Sequence, residues 1–258
     1  MNTTVIPVLL YHSVSDRPPP GGSWGVVSCA DFAAHVDVIA ASGREPVGMT
    51  TLAAMLRAEQ PLAERLVAIT FDDGYSDTYD AVALLRRRNL FSTVYVTTGE
   101  IGAPDRLSSQ HVVSLASLPG VELGAHGVRH RRLDELDGAE LAKELRGSKA
   151  HLEELTGDRV DSFAYPHGSY DVRVRDAVIA AGYRSAAAVK NAACHRGDDP
   201  FAIARWTVAT ATSAERIAEV LEGKGVPLAW TRERLSTRVA RTARRQRRRL
   251  FGARSAPW

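Results

Sequence analysis

Three short segments carry side chains whose types and spacing suit hydrolytic chemistry. TFDDGY (70–75) sets two adjacent carboxylates, Asp72 and Asp73, behind an apolar run, with Gly74 able to turn the backbone sharply. HGVRH (126–130) places His126 and His130 four residues apart, a spacing that suits a divalent transition metal. FAYPHG (163–168) stops an apolar run at Pro166 and frees the chain again at Gly168. Such a turn can offer a backbone N–H to a developing oxyanion. Each segment alone has an ordinary reading: a polar turn capping a helix, a surface histidine pair, a plain turn. Together they supply a carboxylate and two imidazoles, a common ligand set for a catalytic metal that leaves a position open for water. A spare aspartate beside that set can act as general base.

The elements around these segments alternate. Residues 5–10, 66–71, 91–97, 121–125, 162–165, 185–189 and 202–208 read as strands, apolar and rich in β-branched or small residues. Residues 31–42, 50–58, 77–88, 108–118, 137–155, 171–181 and 213–222 read as helices, the second capped by Thr50 or Thr51. The order argues a parallel sheet, open or closed into a barrel, with its polar residues just after strand ends, where such folds build active sites.

Charge divides the chain. Residues 231–258 hold ten arginines and one glutamate, whereas the whole chain has a net charge of only +3. The remainder is therefore acidic, and the C-terminal segment reads as a separate object. It is too polar to fold alone. Two readings stand: a solubilising tail, or a segment that meets anionic lipid headgroups. Nucleic-acid binding is not expected, because the rest is acidic and no nucleic-acid fold shows. The N-terminus lacks the features of a secretory signal, and no apolar run is long enough to span a bilayer. The expected location is therefore cytoplasmic, with peripheral contact at the inner membrane if the tail binds lipid. Cys29 and Cys194 read as free thiols.

The order TFDDGY, HGVRH, FAYPHG resembles the polysaccharide deacetylases of carbohydrate esterase family four, which have the NodB-homology fold. IPVLLYHSV (6–14) is similar to the opening of one branch, the deacetylases of poly-β-1,6-N-acetylglucosamine. The resemblance runs to about residue 210; each motif is weak alone, and four in order are specific. It implies an irregular (β/α) barrel of about seven parallel strands, with a catalytic domain over 1–225 and the Arg-rich tail over 226–258. It implies a metal-dependent hydrolase removing N-acetyl groups from an N-acetylglucosamine-type glycan. Asp72 would be the general base. Asp73, His126 and His130 would hold the metal, most often zinc, otherwise nickel or cobalt. Tyr165, Pro166, His167 and Arg205 would serve the oxyanion and substrate, the His167 N–H in the leading role.

Three departures from the family pattern matter. Gly127 stands where a Ser or Thr hydroxyl usually braces the second motif. Ala164 stands where an arginine often orients the base, and Arg205 is the expected substitute. No histidine follows His195, although the family's acid usually sits near the C-terminus. Were the sheet closed, the first strand could lie where the last one lies elsewhere, and His12 would supply the acid, with His195 in reserve. His35, His111 and His151 are expected to face solvent. Of the aromatic residues Tyr11, Trp24, Tyr75 and Trp206, most are expected in the core, with Trp24 the best candidate to stack on a sugar. The competing readings are a same-fold hydrolase of another amide or ester, and a non-catalytic glycan- or membrane-binding relative.

Overall fold

A computed structural model describes residues 4–17, 25–58, 65–230, 242–244 and 246. Seven parallel strands form the core: β1 (Val8–Tyr11), β2 (Leu66–Phe71), β3 (Ser92–Val96), β4 (Val121–Ala125), β5 (Ser162–Ala164), β6 (Ser185–Val189) and β7 (Ile203–Thr207). Each pairs with the next from β2 to β7, and β1 pairs with both β7 and β2, so the sheet closes into a barrel. Among the described residues up to 230, seven helices surround it: α1 (Cys29–Ala41), α2 (Met49–Arg57), α3 (Thr78–Arg87), α4 (Ser109–Ala116), α5 (Gly138–Thr156), α6 (Val172–Ala180) and α7 (Ala214–Leu221). The expected seven-stranded α/β barrel is thus observed. It is irregular: two helices separate β1 from β2, and none separates β6 from β7.

Strand periodicity explains the two cores. Leu9, Tyr11, Ile69, Phe71, Val94, Val96, Phe163, Ala186 and Ala188 pack outward under the helices. Val8, Ala68, Tyr95, Ala164 and Ala187, one residue out of phase, belong to the inner cluster. The inner residues are mostly small, which leaves room for Tyr95 and for Arg205, both fully buried. Gly124 serves this packing: a Cβ there would lie 2.4 Å from the Tyr95 ring.

Several expectations need correcting. The single strand over residues 5–10 is two. Val5–Ile6 pairs antiparallel with Cys194–His195, and β1 begins only after Pro7, which has no N–H for the ladder. Neither Thr50 nor Thr51 caps α2; Gly48 holds the cap position without a side-chain bond. The Glu122 carboxylate does this work from outside, accepting from the Thr50 N–H and hydroxyl and from the Thr93 hydroxyl. His35 is buried rather than solvent-facing, because Phe32, His35, Val36 and Ile39 form the inner stripe of α1. Its ring bridges Tyr11 Oη and the Thr212 carbonyl. His111 is half-buried in the capping box of α4, and His151 is exposed. Tyr11 is core, whereas Tyr75 and Trp206 are half-buried beneath Arg106 and Arg216. Trp24 lies outside the described residues. Both cysteines are free, Cys29 exposed and Cys194 buried. Beyond α7, residues 227–229 return to pair with Ala193, so packed chain continues past residue 225.

Glu122 gives a first testable outcome. Glu122→Ala strips the acceptor from several donors at the base of the barrel and is expected to cost about 1–3 kcal/mol in urea unfolding. Burial pushes this carboxyl up, although the bonds from Thr50, Thr93 and Met49 favour its ionised form. The folded chain therefore holds the proton more tightly than the unfolded chain. That contribution is complete below the ordinary carboxylate range and is lost as pH rises through the raised value. Glu122→Gln should flatten this part of the stability–pH profile; a profile identical to wild type would refute the assignment.

Candidate active site

The carboxyl ends of the strands bring the three motifs together. Asp72 follows β2 and keeps the inward phase of Ala68 and Thr70, with its N–H on the Tyr11 carbonyl. In a continuing strand Asp73 would point to the opposite side. It instead adopts φ 73°, followed by Gly74 at φ 76°, and the turn swings its carboxylate toward the histidines. His130 (φ 50°) and His167 (φ 57°) are left-handed as well. Each such non-glycine residue costs on the order of 1–3 kcal/mol, and strain of this kind gathers at functional sites.

The Asp73, His126 and His130 ligand atoms lie within 4.8 Å of one another, a group that could hold a metal ion. His126 Nε2 is 3.4 Å and His130 Nε2 3.2 Å from Asp73 Oδ1. That oxygen is buried without a hydrogen bond of good angle. His126 Nδ1 lies 2.8 Å from the Ala164 carbonyl, so Nδ1 must carry the proton and donate. In the neutral ring, Nε2 then presents a lone pair to the carboxylate. Two electron-rich atoms so placed are held together by a shared positive charge, either a metal ion or a proton on Nε2. The mutual attraction shows in the titration of both partners. Burial would raise Asp73, but His126 and His130 outweigh it and hold the carboxyl well below its usual range. Burial would lower His126, but Asp72 and Asp73 outweigh it and raise the ring. The donor set of two imidazoles and one carboxylate fits a divalent transition metal.

Asp72 is clamped by Arg205, whose Nη1 and Nη2 donate to its two oxygens at 2.6 and 2.7 Å, while Nη1 also reaches Thr70 Oγ1 at 3.2 Å. Burial pushes Asp72 up, but the charge of Arg205, with His126 and the guanidinium bonds, outweighs it and keeps the carboxyl low. Arg205 is fully buried, so it meets Asp72 rather than open solvent, and a direct substrate contact is not what the geometry offers.

The third motif forms a tight turn over Pro166–Gly168. The His167 ring packs 4.4 Å from that of His130, with Nε2 3.2 Å from the His130 carbonyl. Burial and the neighbouring His130 and Arg132 push its pKa down to about 4, so near neutral pH the ring is uncharged and Nε2–H donates to that carbonyl. No acceptor among the described residues takes the His167 N–H. The Tyr165 side chain points elsewhere: its hydroxyl donates to the Phe201 carbonyl and its ring stacks on Tyr170. Its expected part in substrate binding therefore has no side-chain basis, because the ring belongs to the outer core.

His12 follows β1 directly, and barrel closure sets β1 beside β2 and β7. Burial lowers its pKa; Asp73 and Asp72 oppose the shift, and Arg205 and His126 reinforce it. All four groups therefore lie close enough to act on it. Gly25, at φ 76°, lies against the ring; a Cβ there would be 3.3 Å from His12 Nδ1. His195 pairs with Val5 and bonds to the Ala229 carbonyl, at the barrel end away from Asp72, which removes it as an acid.

Three contacts escaped sequence reasoning. Ser169 Oγ donates to buried Asp134 at 2.7 Å, tying the chain after His130 to the turn after Pro166, and Arg244 reaches Asp134 and Glu135 from the C-terminal segment. Glu144 of α5 accepts from the N–H groups of Val128 and Arg129 between the two histidines. One signal was the absent hydroxyl at Gly127, which says that a brace is missing but not what replaces it.

Comparison with known proteins places this geometry. The profile described as polysaccharide deacetylase matches residues 59–186, which include all three motifs. YxkH of Bacillus subtilis (strain 168), named for the polysaccharide deacetylases, is 26% identical over 218 residues, covering 84% of this chain and 76% of its own length. The deacetylase PplD of Streptococcus pyogenes, solved in complex with acetate, superposes with a TM-score of 0.77 at 19% identity, over 86% of this chain and 99% of that one. IcaB from Ammonifex degensii gives 0.71 at 20% identity, over 85% and 97%. At these identities the two structures speak for the shared barrel. The family assignment rests on the matched motif-bearing sequence: residues 59–186 of this chain match the polysaccharide deacetylase domain.

Proposed function

We propose that the chain is a metal-dependent hydrolase that removes N-acetyl groups from an amino-sugar-containing glycan of the N-acetylglucosamine type. The observation that carries this reading is the convergence of Asp73, His126 and His130 beside a second carboxylate, Asp72, held ionised by Arg205. Asp73, His126 and His130 would hold the metal, with zinc favoured over nickel or cobalt. When bound, such an ion supplies Lewis-acid polarisation of the acetyl carbonyl and makes water a better nucleophile near neutral pH. Asp72 takes a proton from the attacking water as its oxygen bonds to the carbonyl carbon. The His167 N–H donates to the carbonyl oxygen as that atom gains charge. His12, which its lowered pKa makes a stronger acid in the protonated form, gives its proton to the nitrogen as the C–N bond breaks, releasing acetate and the free amine.

The test is acetate release from N-acetylglucosamine oligomers, compared with acetylated xylan, before and after chelation and zinc readdition. Release from the oligomers, lost on chelation and restored by zinc, supports the proposal. Release from xylan alone would point to an ester substrate. Tight metal binding without release from any glycan would make the protein a binding relative.

His12 can be tested separately. His12→Asn is expected to lower kcat on N-acetyl substrates by about 10²–10⁴. Hydrolysis of 4-nitrophenyl acetate, whose leaving group needs no proton, should fall far less. Equal losses on both substrates would exclude His12 as the acid.

Residues 231–241, 245 and 247–258 of the Arg-rich segment lie outside the described residues, and no helix among the described residues is long and apolar enough to cross a membrane. Contact of the segment with anionic headgroups remains our proposal. Loss of co-sedimentation with anionic vesicles on truncation after residue 230 would support it, and unchanged pelleting would remove it.

A further inference from the structure

The two histidines are joined by only three residues, Gly127, Val128 and Arg129, so the two central peptide units of that span, 127–128 and 128–129, largely set where one ring lies relative to the other. Both units are held on both sides. On one side the N–H groups of Thr98 and Gly99 donate to the carbonyls of Gly127 and Val128 at 3.1 and 2.9 Å. On the other, a single oxygen, Glu144 Oε2, accepts from the N–H groups of Val128 and Arg129 at 2.7 and 2.9 Å. Successive backbone N–H groups form a concave anion site, here filled from within the chain. Glu144 is buried, and among the described residues no basic side chain is paired with it. A buried carboxylate is costly unless its hydrogen bonds compensate, and these compensating bonds go to the span between the histidines.

We propose that Glu144 is a positioning residue for the metal site: its carboxylate on α5 sets the loop that spaces His126 from His130. The proposal rests on the metal-binding reading above. It also explains Gly127. That residue sits at φ 77°, and a Cβ there would lie 3.0 Å from Glu144 Oε2 and 3.7 Å from Pro166 Cγ. The carboxylate thus occupies the space beside Gly127, and a side-chain brace within the loop would compete with it. The other partners are cut to the same shape. A Cβ on Gly99 would lie 2.4 Å from the Val128 carbonyl oxygen, and one on Gly147 of α5 would lie 3.3 Å from Val128 Cγ2. Three glycines therefore let the loop, the chain after β3 and α5 approach one another closely. His126 is separately fixed by β4 and the Ala164 carbonyl, so a relaxed loop displaces mainly His130.

The experiment measures zinc affinity by competition with a chromophoric chelator, together with amide hydrogen exchange of the metal-free protein. Wild type, Glu144→Gln, Glu144→Asp and Glu144→Ala are compared. Glu144→Ala is expected to bind zinc about 10–100-fold more weakly, the range typical when a group orienting a ligand is lost. Glu144→Gln, which keeps an uncharged acceptor, should fall between. Exchange at Val128 and Arg129 should quicken while protection of β2 and β3 is retained. Should Glu144→Ala fail to fold, Glu144→Gln and Glu144→Asp carry the same comparison. Wild-type affinity in all foldable variants would overturn the proposal and leave the metal reading intact. Failure of the wild type itself to bind zinc, nickel or cobalt would overturn the metal reading and this proposal with it.

Discussion

Asp73→Asn is expected to empty the site of metal and to abolish acetate release, while the barrel still folds. Asparagine is a cleaner replacement than alanine here. Asp73 sits at φ 73°, and Asn tolerates the left-handed region far better than most residues, so the turn into Gly74 can persist. What changes is the charge. Asp73 is the one anion between two imidazoles, and its Oδ1 is the point on which both Nε2 atoms converge. Without it, two imidazole nitrogens remain with no carboxylate between them, one fixed by the Ala164 carbonyl and one on a loop. An amide oxygen is a poor ligand for a borderline-soft cation beside imidazole. Elemental analysis of purified wild type and variant, after equal exposure to zinc, reads the result directly. Asp72→Asn is the necessary companion. It should retain metal but lose about 10²–10⁴ in turnover, as expected of a lost general base. Stoichiometric metal in the Asp73 variant would sink the ligand assignment, and unimpaired turnover in the Asp72 variant would sink the base.

Much of the barrel and part of the site were legible in the sequence, for reasons that differ residue by residue. LVAITF is an apolar run of strand length and VELGA is a largely apolar one interrupted by Glu122; both stop at charged or imidazole groups, so Asp72 and His126 could be set at strand ends directly. Arg205 and His12 needed one more step, closure of the sheet, because only closure sets β1 between β7 and β2. Glu144 was hidden by distance along the chain. Its signal lay in helical phase: Leu141, Glu144, Leu145, Ser148 and Leu152 form the buried stripe of α5. An acid on such a stripe must find buried donors, but the stripe cannot say which. His35 escaped in the same way on α1. Tyr165 misled because a motif fixes where a backbone turns, whereas the phase of β5 had already sent that side chain into the outer core.

The Arg205–Asp72 pair carries the second large effect, and here stability and catalysis can be separated. Removing one member of a buried ion pair strands the other, at a typical cost of about 3–5 kcal/mol. Arg205→Met keeps the bulk beside Tyr95 and removes the charge, so it should lower stability by that amount near neutral pH. The pH dependence should reverse as well. In the wild type, the depressed Asp72 pKa contributes stability that is present above the ordinary carboxylate value and lost as pH falls through the folded value. With Arg205 gone, burial, already the largest single influence on Asp72, is no longer outweighed and pushes its pKa up. The variant should then lose stability as pH rises through that raised value. The same shift protonates the base, so turnover should fall and its acidic limb should move to higher pH. Arg205→Lys keeps a charge but not the two-pronged geometry and should be intermediate. The double variant Arg205→Met with Asp72→Asn decides the matter. Removing the stranded carboxylate should recover much of the lost stability, yet activity should stay near that of Asp72→Asn alone. A single Arg205→Met variant with wild-type unfolding and an unmoved pH–rate profile would show that the guanidinium neither supports the barrel interior nor tunes the base.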